Sequence, residues 1–116
     1  MKILIVDDIA ITRTTHLKLI KKINPSIEIE TAGSYEEAIK NNLKDFNLII
    51  TDNILSNKKG SDLVQYTKDK NLNINIVLLT GWHFLDDELK KINIPVYHKP
   101  ITYDIMKKII TDNIIN

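Results

Sequence analysis

Cysteine is absent from the sequence, and glycine is scarce. Without cysteine among its 116 residues, the chain has no disulfide bridge, thiolate metal site or thiol catalysis. This absence fits a reducing compartment, and the cytoplasm is the default location. The three glycines, Gly33, Gly60 and Gly81, form no phosphate-cradling loop, which argues against a nucleotide or flavin binder.

Long apolar runs and an excess of one charge are also missing. No run approaches the roughly 18 to 20 residues that a transmembrane helix needs, and the apolar residues before Asp7 are too few for a signal peptide. Sixteen Lys and Arg nearly balance fifteen Asp and Glu, so no general attraction to nucleic acid or to a membrane is expected. The length predicts one globular domain.

Five short segments predict β-strands. Residues 3–6, 48–50 and 76–79 are apolar without alternation, which is typical of central strands buried on both faces of a parallel sheet. Residues 27–31 and Val96–His98 are shorter or alternate with charge, as edge strands do.

Amphipathic stretches between these strands predict five helices. They cover residues 12–23, a segment that begins with the capping-box pair Ser34 and Glu37, residues 61–69, residues 85–92, and Tyr103–Ile114 with Thr102 as its cap. Regular alternation of strands and helices indicates an α/β fold with a doubly wound parallel sheet.

Polar side chains follow four of the predicted strands. Ligands of such sheets bind at the carboxyl ends of the strands, where this sequence places Asp7, Asp8, Asp52, Thr80 and Lys99. Three carboxylates in one place repel one another, and a hard cation such as Mg²⁺ relieves that repulsion. The neighbouring lysine and threonine indicate phosphoryl chemistry, with Asp52 as the best candidate for a nucleophile.

These residues resemble the receiver domain of two-component response regulators, and the resemblance spans essentially the whole chain. The matching positions, each at its expected strand exit or helix, are Val6-Asp7-Asp8, Arg13, Asp52, Gly60, Thr80-Gly81 and Lys99-Pro100. The resemblance implies a flavodoxin-like fold with five helices and strand order 2-1-3-4-5. It also implies a single receiver domain over residues 1–116, with no output domain.

The resemblance implies a role for each site residue. Asp52 would accept a phosphoryl group from a sensor histidine kinase or a histidine phosphotransfer protein. Asp7, Asp8 and Asp52, with the backbone carbonyl of Ile54, would hold Mg²⁺. Of the remaining positions, Thr80 and Lys99 would bind the phosphoryl group, Gly81 would keep the approach open, and the Lys99-Pro100 bond is expected to be cis.

Two features depart from the family pattern. The aromatic residue usual three positions before the strand-five lysine is replaced by Val96, and Tyr97 should point to the opposite face, into the core. This puts the usual aromatic switch in doubt. Ile54 and Trp82 stand where side chains flank the hydrolytic water, and neither can orient it by hydrogen bonding, so slow self-dephosphorylation is expected.

Other residues receive simpler interpretations. His16, His83 and His98 are not spaced as a metal site and are expected at the surface. Arg13 is expected to pack its stem against the first helix, outside the site, and Gly60 to serve a turn.

Two other functions remain to be weighed. A phosphatase of the haloacid dehalogenase type needs an acid two residues after its nucleophile, and here those positions hold Ile9 and Ile54. A phosphorylation-independent interaction module on the same fold is the alternative that we retain. We therefore expect a signalling domain rather than a dedicated enzyme, monomeric by default, with a protein as its downstream target and no direct contact with nucleic acid.

Overall fold

The computed structural model describes residues 1–81 and 93–114. A five-stranded parallel sheet with the order β2-β1-β3-β4-β5 forms its centre. The strands are β1 (Lys2–Val6), β2 (Glu28–Ala32), β3 (Leu48–Asp52), β4 (Asn75–Thr80) and β5 (Val96–His98). The predicted flavodoxin-like fold and strand order are confirmed.

Four α-helices and one 3-10 helix lie in the described residues. They are α1 (Ala10–Ile23), α2 (Tyr35–Ile39), α3 (Gly60–Asp69), α4 (Tyr103–Ile114) and the 3-10 helix Leu43–Asp45. The helix predicted over residues 85–92 falls outside the described residues, as does Trp82. No helix in the described part of the chain is both long enough and apolar enough to span a membrane.

The sheet separates two apolar cores. On one face, Leu4, Ile49 and Leu78 pack with α2 and α3, through residues such as Ala38 and Leu63. The other core holds Ile3, Ile50 and Val77, packed against Ile20 of α1 and Met106 of α4. Burying one such side chain contributes about 1.5 to 3 kcal/mol, so the two cores fix the strand ends that carry the site.

Central and edge strands differ in burial as predicted. All five residues of β3 are buried, whereas β2 is exposed except for half-buried Ile29 and buried Ala32. On β5, Val96 packs against the α2 and α3 core, and Tyr97 against the α1 and α4 core. The Tyr97 hydroxyl accepts a hydrogen bond from Asn113 Nδ2 (3.1 Å), which ties this ring to α4.

The predicted helix caps are present, with one difference. The Ser34 hydroxyl accepts from the backbone N–H of Glu37 (3.0 Å), and the Thr102 hydroxyl accepts from Ile105 N–H (3.3 Å). The Glu37 carboxylate accepts from the N–H of Gly33 (2.6 Å), one residue before the position that a capping box would use.

One expected surface residue is internal. His16 on α1 is 5% exposed, so the prediction of a surface histidine is wrong at this position. The reason is its helical spacing: His16 lies four residues before Ile20, on the stripe of α1 that faces the sheet. His98 is exposed as predicted, and His83 lies outside the described residues.

Candidate functional site

The carboxyl ends of two neighbouring strands, β1 and β3, bring the three predicted aspartates together. Asp7 follows β1, Asp8 comes next, and Asp52 ends β3. Each offers a carboxylate oxygen, and these three oxygens lie within 4.8 Å of one another. Asp7 and Asp52 are 1% and 7% exposed, whereas Asp8 faces solvent.

Lys99 reaches this group from the end of β5. Its Nζ lies 2.8 Å from Asp52 Oδ2 and 3.5 Å from Asp7 Oδ2. The backbone N–H of Lys99 donates to the carbonyl of Thr80 (2.8 Å), which holds the β5 end beside β4. The Lys99-Pro100 peptide bond is cis, as expected.

Burial and charge act together on the pKa values of this cluster. Burial raises the pKa of Asp7, an effect that outweighs the Ile9 N–H and the Lys99 charge; the nearby charge of Asp52 raises it further. For Lys99, burial alone lowers the pKa, but the hydrogen bond and charge of Asp52, with those of Asp7, outweigh it and raise the pKa. Lys99 therefore stays protonated beside Asp7, a carboxylate whose ionisation is made costly by burial.

Backbone groups orient the two buried carboxylates. Asp7 Oδ1 accepts from the N–H of Ile9 (2.9 Å), and Asp52 Oδ1 accepts from the N–H of Ile54 (3.3 Å). These two local hydrogen bonds use Oδ1 and leave Oδ2 of each aspartate facing Lys99. The carboxylate positions are therefore set by the chain itself.

Arg13 supports the site from α1, although the sequence interpretation placed it outside. Its Nη1 donates to the backbone carbonyl of Asp7 (2.6 Å), one helical turn and a loop away. This bond fixes the segment that carries both N-terminal aspartates. The spacing of Arg13 from Asp8 in the sequence was a signal that Arg13 belongs to the site. Its hydrogen-bond partner is a backbone atom, however, and the pattern of side chains along the sequence does not reveal such a partner.

The packing around Gly60 leaves no space for a side chain, which is a stricter requirement than that of the predicted turn. A Cβ at this position would lie 2.5 Å from the carbonyl oxygen of Asp52 and 2.7 Å from Leu78 Cδ2. The backbone N–H of Gly60 donates to the carbonyl of Asn53 (2.8 Å). The absence of a side chain thus lets α3 begin directly against the end of β3.

The remaining predicted residues surround the carboxylates. Thr80 is fully buried at the end of β4, and its hydroxyl donates to the Gly81 carbonyl (3.3 Å) rather than to a carboxylate. Among the described residues, a Cβ at Gly81 would meet no atom within 4 Å. Ile54 is 45% exposed beside Asp52.

An open groove of about 570 Å³ lies beside the cluster. It runs between α1 and the loop before α4, and its lining includes Thr12, His16, Gly81, Lys99 and Pro100. Lys99 thus contacts the carboxylates and also lines a space that a second molecule can enter.

The carboxylate cluster fits a hard divalent cation. All its donors are oxygens, which Mg²⁺ prefers, and solvent-exposed Asp8 leaves room for the waters that Mg²⁺ retains. A nearby lysine cation and the open groove suit an additional phosphate group. The residues present can therefore hold a metal ion together with a phosphoryl group.

Comparisons with known proteins indicate the family of this chain. A sequence profile of the response regulator receiver domain matches residues 3–111. No protein with a curated description matches the sequence. Among solved structures, a response regulator receiver domain protein from Clostridium thermocellum is 26% identical with a TM-score of 0.77, over 97% of this chain and 93% of that chain.

Two further structures extend the comparison. The response regulator TrrA from Thermotoga maritima, solved in complex with Mg²⁺-BeF, is 25% identical with a TM-score of 0.78, over 96% of each chain. Chemotaxis protein CheY4 from Vibrio cholerae shares the fold, with a TM-score of 0.83 at 22% identity over 97% of each chain. Because the profile covers nearly all of the sequence, the chain belongs to the response regulator receiver domain family of two-component systems.

Proposed function

We propose that this receiver domain is a phosphorylation-dependent signalling switch with Asp52 as its phosphoacceptor. The observation that carries the proposal is the arrangement around Asp52: its carboxylate lies beside two other aspartates and 2.8 Å from the ammonium of Lys99. Receiver domains act as signalling switches rather than dedicated enzymes, which fits a site that transfers a phosphoryl group to itself.

The proposed transfer starts from a phosphohistidine of a sensor histidine kinase or a histidine phosphotransfer protein. An Asp52 carboxylate oxygen attacks phosphorus, and the phosphorus–nitrogen bond breaks with its electron pair going to the histidine. The product is an aspartyl phosphate. Lys99 leaves its pairing with Asp52 and neutralises part of the phosphoryl charge, a role that its raised pKa supports.

Mg²⁺ is the cofactor that we propose for this site. Asp7, Asp8 and Asp52 would hold it through carboxylate oxygens, together with the backbone carbonyl of Ile54. When bound, Mg²⁺ supplies positive charge that offsets the charge of the phosphoryl oxygens. The Mg²⁺-BeF complex of TrrA, a 25% identical receiver, supports this proposal.

Thr80 and Gly81 are proposed to complete phosphoryl binding. The Thr80 hydroxyl now donates to Gly81 through a 3.3 Å bond, which is long for an O–H donor and inexpensive to exchange. We propose that it turns to a phosphoryl oxygen after transfer. The open surface at Gly81 would admit the phosphodonor protein.

The proposal also covers the extent of the domain, its location, its oligomeric state and its partners. Residues 1–116 would act as one receiver domain, in the cytoplasm and as a monomer, with a protein as downstream target and no direct contact with nucleic acid. One sheet, with helices packed on both faces, supports the single domain.

Intact mass measurement tests the proposal. The protein is incubated with phosphoramidate and Mg²⁺, with EDTA in a parallel sample. We expect an adduct of one phosphoryl group that EDTA prevents. The Asp52→Asn variant should lose the adduct, and Asp45→Asn, a matched change in the 3-10 helix, should retain it.

Two results would overturn the proposal. An adduct that persists in Asp52→Asn would place the phosphoryl group elsewhere. A protein that binds Mg²⁺ but forms no adduct would favour the phosphorylation-independent interaction module.

A further inference from the structure

Asp8 differs from the other two aspartates in its surroundings. Asp7 and Asp52 are almost fully buried and accept hydrogen bonds from nearby backbone N–H groups. Asp8 is exposed, and a solvated carboxylate side chain rotates among several rotamers unless another group restrains it. The contact that restrains Asp8 comes from a different loop.

Ser56 supplies this contact from the β3–α3 loop, 48 residues away in sequence. Its hydroxyl donates to Asp8 Oδ2 with an Oγ to Oδ2 distance of 3.1 Å. The bond joins the loop after β1 to the loop after β3. Three of the four groups proposed to hold Mg²⁺ lie in these two loops, and the fourth, Asp52, ends the strand that leads into the second loop.

The loop around Ser56 is itself well anchored. The N–H of Leu55 donates to the carbonyl of Lys58 (3.0 Å), and the Leu55 side chain is 5% exposed in the core. An antiparallel bridge pairs Ile54 with Lys59. Ser56 therefore lies in a turn of defined shape, and its hydroxyl can orient Asp8.

We propose that Ser56 is a positioning residue for Mg²⁺, an inference that rests on the proposed function. By holding Asp8 Oδ2, the Ser56 hydroxyl keeps the Asp8 carboxylate beside those of Asp7 and Asp52. Because a carboxylate has about four acceptor sites on its two oxygens, one donated bond leaves Asp8 free to bind the cation. Groups that orient metal ligands in this way typically change affinity 10- to 100-fold.

The expected effect of Ser56→Ala is weaker Mg²⁺ binding with unchanged chemistry. We expect the Mg²⁺ dissociation constant to rise about tenfold, the lower end of that range, because Asp8 is exposed. The rate of adduct formation at saturating Mg²⁺ should match wild type, since Ser56 touches neither Asp52 nor Lys99 in the described contacts. Only the Mg²⁺ concentration for half-maximal rate should rise.

The experiment is a Mg²⁺ titration followed by amide NMR shifts, which reports binding directly and shows whether the fold is intact. Ser56→Thr keeps a hydroxyl and should restore much of the affinity. Ser26→Ala removes a hydroxyl that bonds Asn24 in the α1–β2 turn, at the opposite end of the sheet, and should bind Mg²⁺ as wild type does. Asp8→Asn is titrated in parallel.

The outcomes separate this inference from the proposed function. Weaker Mg²⁺ binding by Ser56→Ala, with a normal rate of adduct formation at saturating Mg²⁺, supports the positioning role. If Asp8→Asn weakens binding but Ser56→Ala binds as tightly as wild type, or more tightly, the inference is wrong and the metal site stands. If Asp8→Asn binds Mg²⁺ unchanged, the proposed metal site itself fails.

Discussion

At the residue scale, the site is dominated by unbalanced charge. Three carboxylates and one ammonium group, three negative and one positive, leave a net charge of −2 in a partly buried space. Removing charged groups from water is costly unless opposite charges or hydrogen bonds compensate. A divalent cation supplies that compensation, so the residues themselves favour binding Mg²⁺.

His16 leads to a prediction about acid stability. Burial lowers the pKa of His16; Asp7 and Asp52 oppose this change, and Lys99 adds to it. As the pH falls below about 6.5, the ordinary value, the unfolded chain takes up a proton more readily than the folded protein. We therefore expect the free energy of unfolding to decrease with falling pH in this range.

Substitution of His16 isolates this contribution. Denaturant unfolding at several pH values should show a weaker pH dependence in His16→Gln, by up to about 1.4 kcal/mol per pH unit, the limit for one proton. His98→Gln changes an exposed histidine and serves as the matched control. Equal slopes in wild type and His16→Gln would show that His16 does not cause the effect.

Ile54 provides a prediction about the lifetime of the phosphorylated state. Its side chain is 45% exposed beside Asp52 and cannot orient an attacking water by hydrogen bonding. We expect slow loss of the phosphoryl group, and faster loss in Ile54→Gln by up to about tenfold, less than the 10²- to 10⁴-fold effect of a positioned general base.

Mass spectra recorded after removal of the phosphodonor measure this decay. Ile11→Gln makes the same change at an exposed position on α1 and should decay as wild type does. A wild-type half-life of seconds, or no acceleration in Ile54→Gln, would contradict the role given to Ile54.

At the element scale, the junction of β3 and α3 positions Asp52, the proposed phosphoacceptor. The Cβ introduced by Gly60→Ala would lie 2.5 Å from the Asp52 carbonyl oxygen, and this backbone atom can move only with its strand. We expect a loss of about 1 to 3 kcal/mol in the free energy of unfolding, the usual cost of overpacking. Thermal or urea unfolding measures the loss.

Gly81→Ala is the matched comparison for this prediction. In the described part of the chain a Cβ at Gly81 meets no atom within 4 Å, so the same chemical change should leave stability nearly unaltered. Equal stability of the two variants would mean that the close approach of α3 to β3 is not needed.

Element boundaries show where sequence patterns are informative. The apolar periodicity of α1 predicts its start at residue 12, but the helix begins at Ala10. The pattern misses the first turn because that turn is exposed and carries no core residue. Two strands, β3 and β4, are longer than the apolar runs that predicted them, for a related reason. β3 and β4 continue through buried polar residues, Asp52 and Thr80, where the site begins.

At the scale of the whole molecule, topology explains how much of the site could be predicted. Parallel strands end at the same edge of a sheet, so the order of residues along the chain was enough to group Asp7, Asp8, Asp52 and Lys99. Contacts made across loops were not predictable in this way. Arg13 bonding the Asp7 carbonyl, and Ser56 bonding Asp8, depend on side-chain directions that a linear pattern does not contain.

Chemical mapping of the phosphorylated residue tests the central claim most directly. The protein is phosphorylated with phosphoramidate and Mg²⁺, then reduced with borohydride, which converts an aspartyl phosphate to homoserine, and peptides are sequenced by mass spectrometry. The account predicts homoserine at position 52 and unchanged Asp7 and Asp8. Reduction at Asp7 or Asp8, or at none of the three, would contradict it.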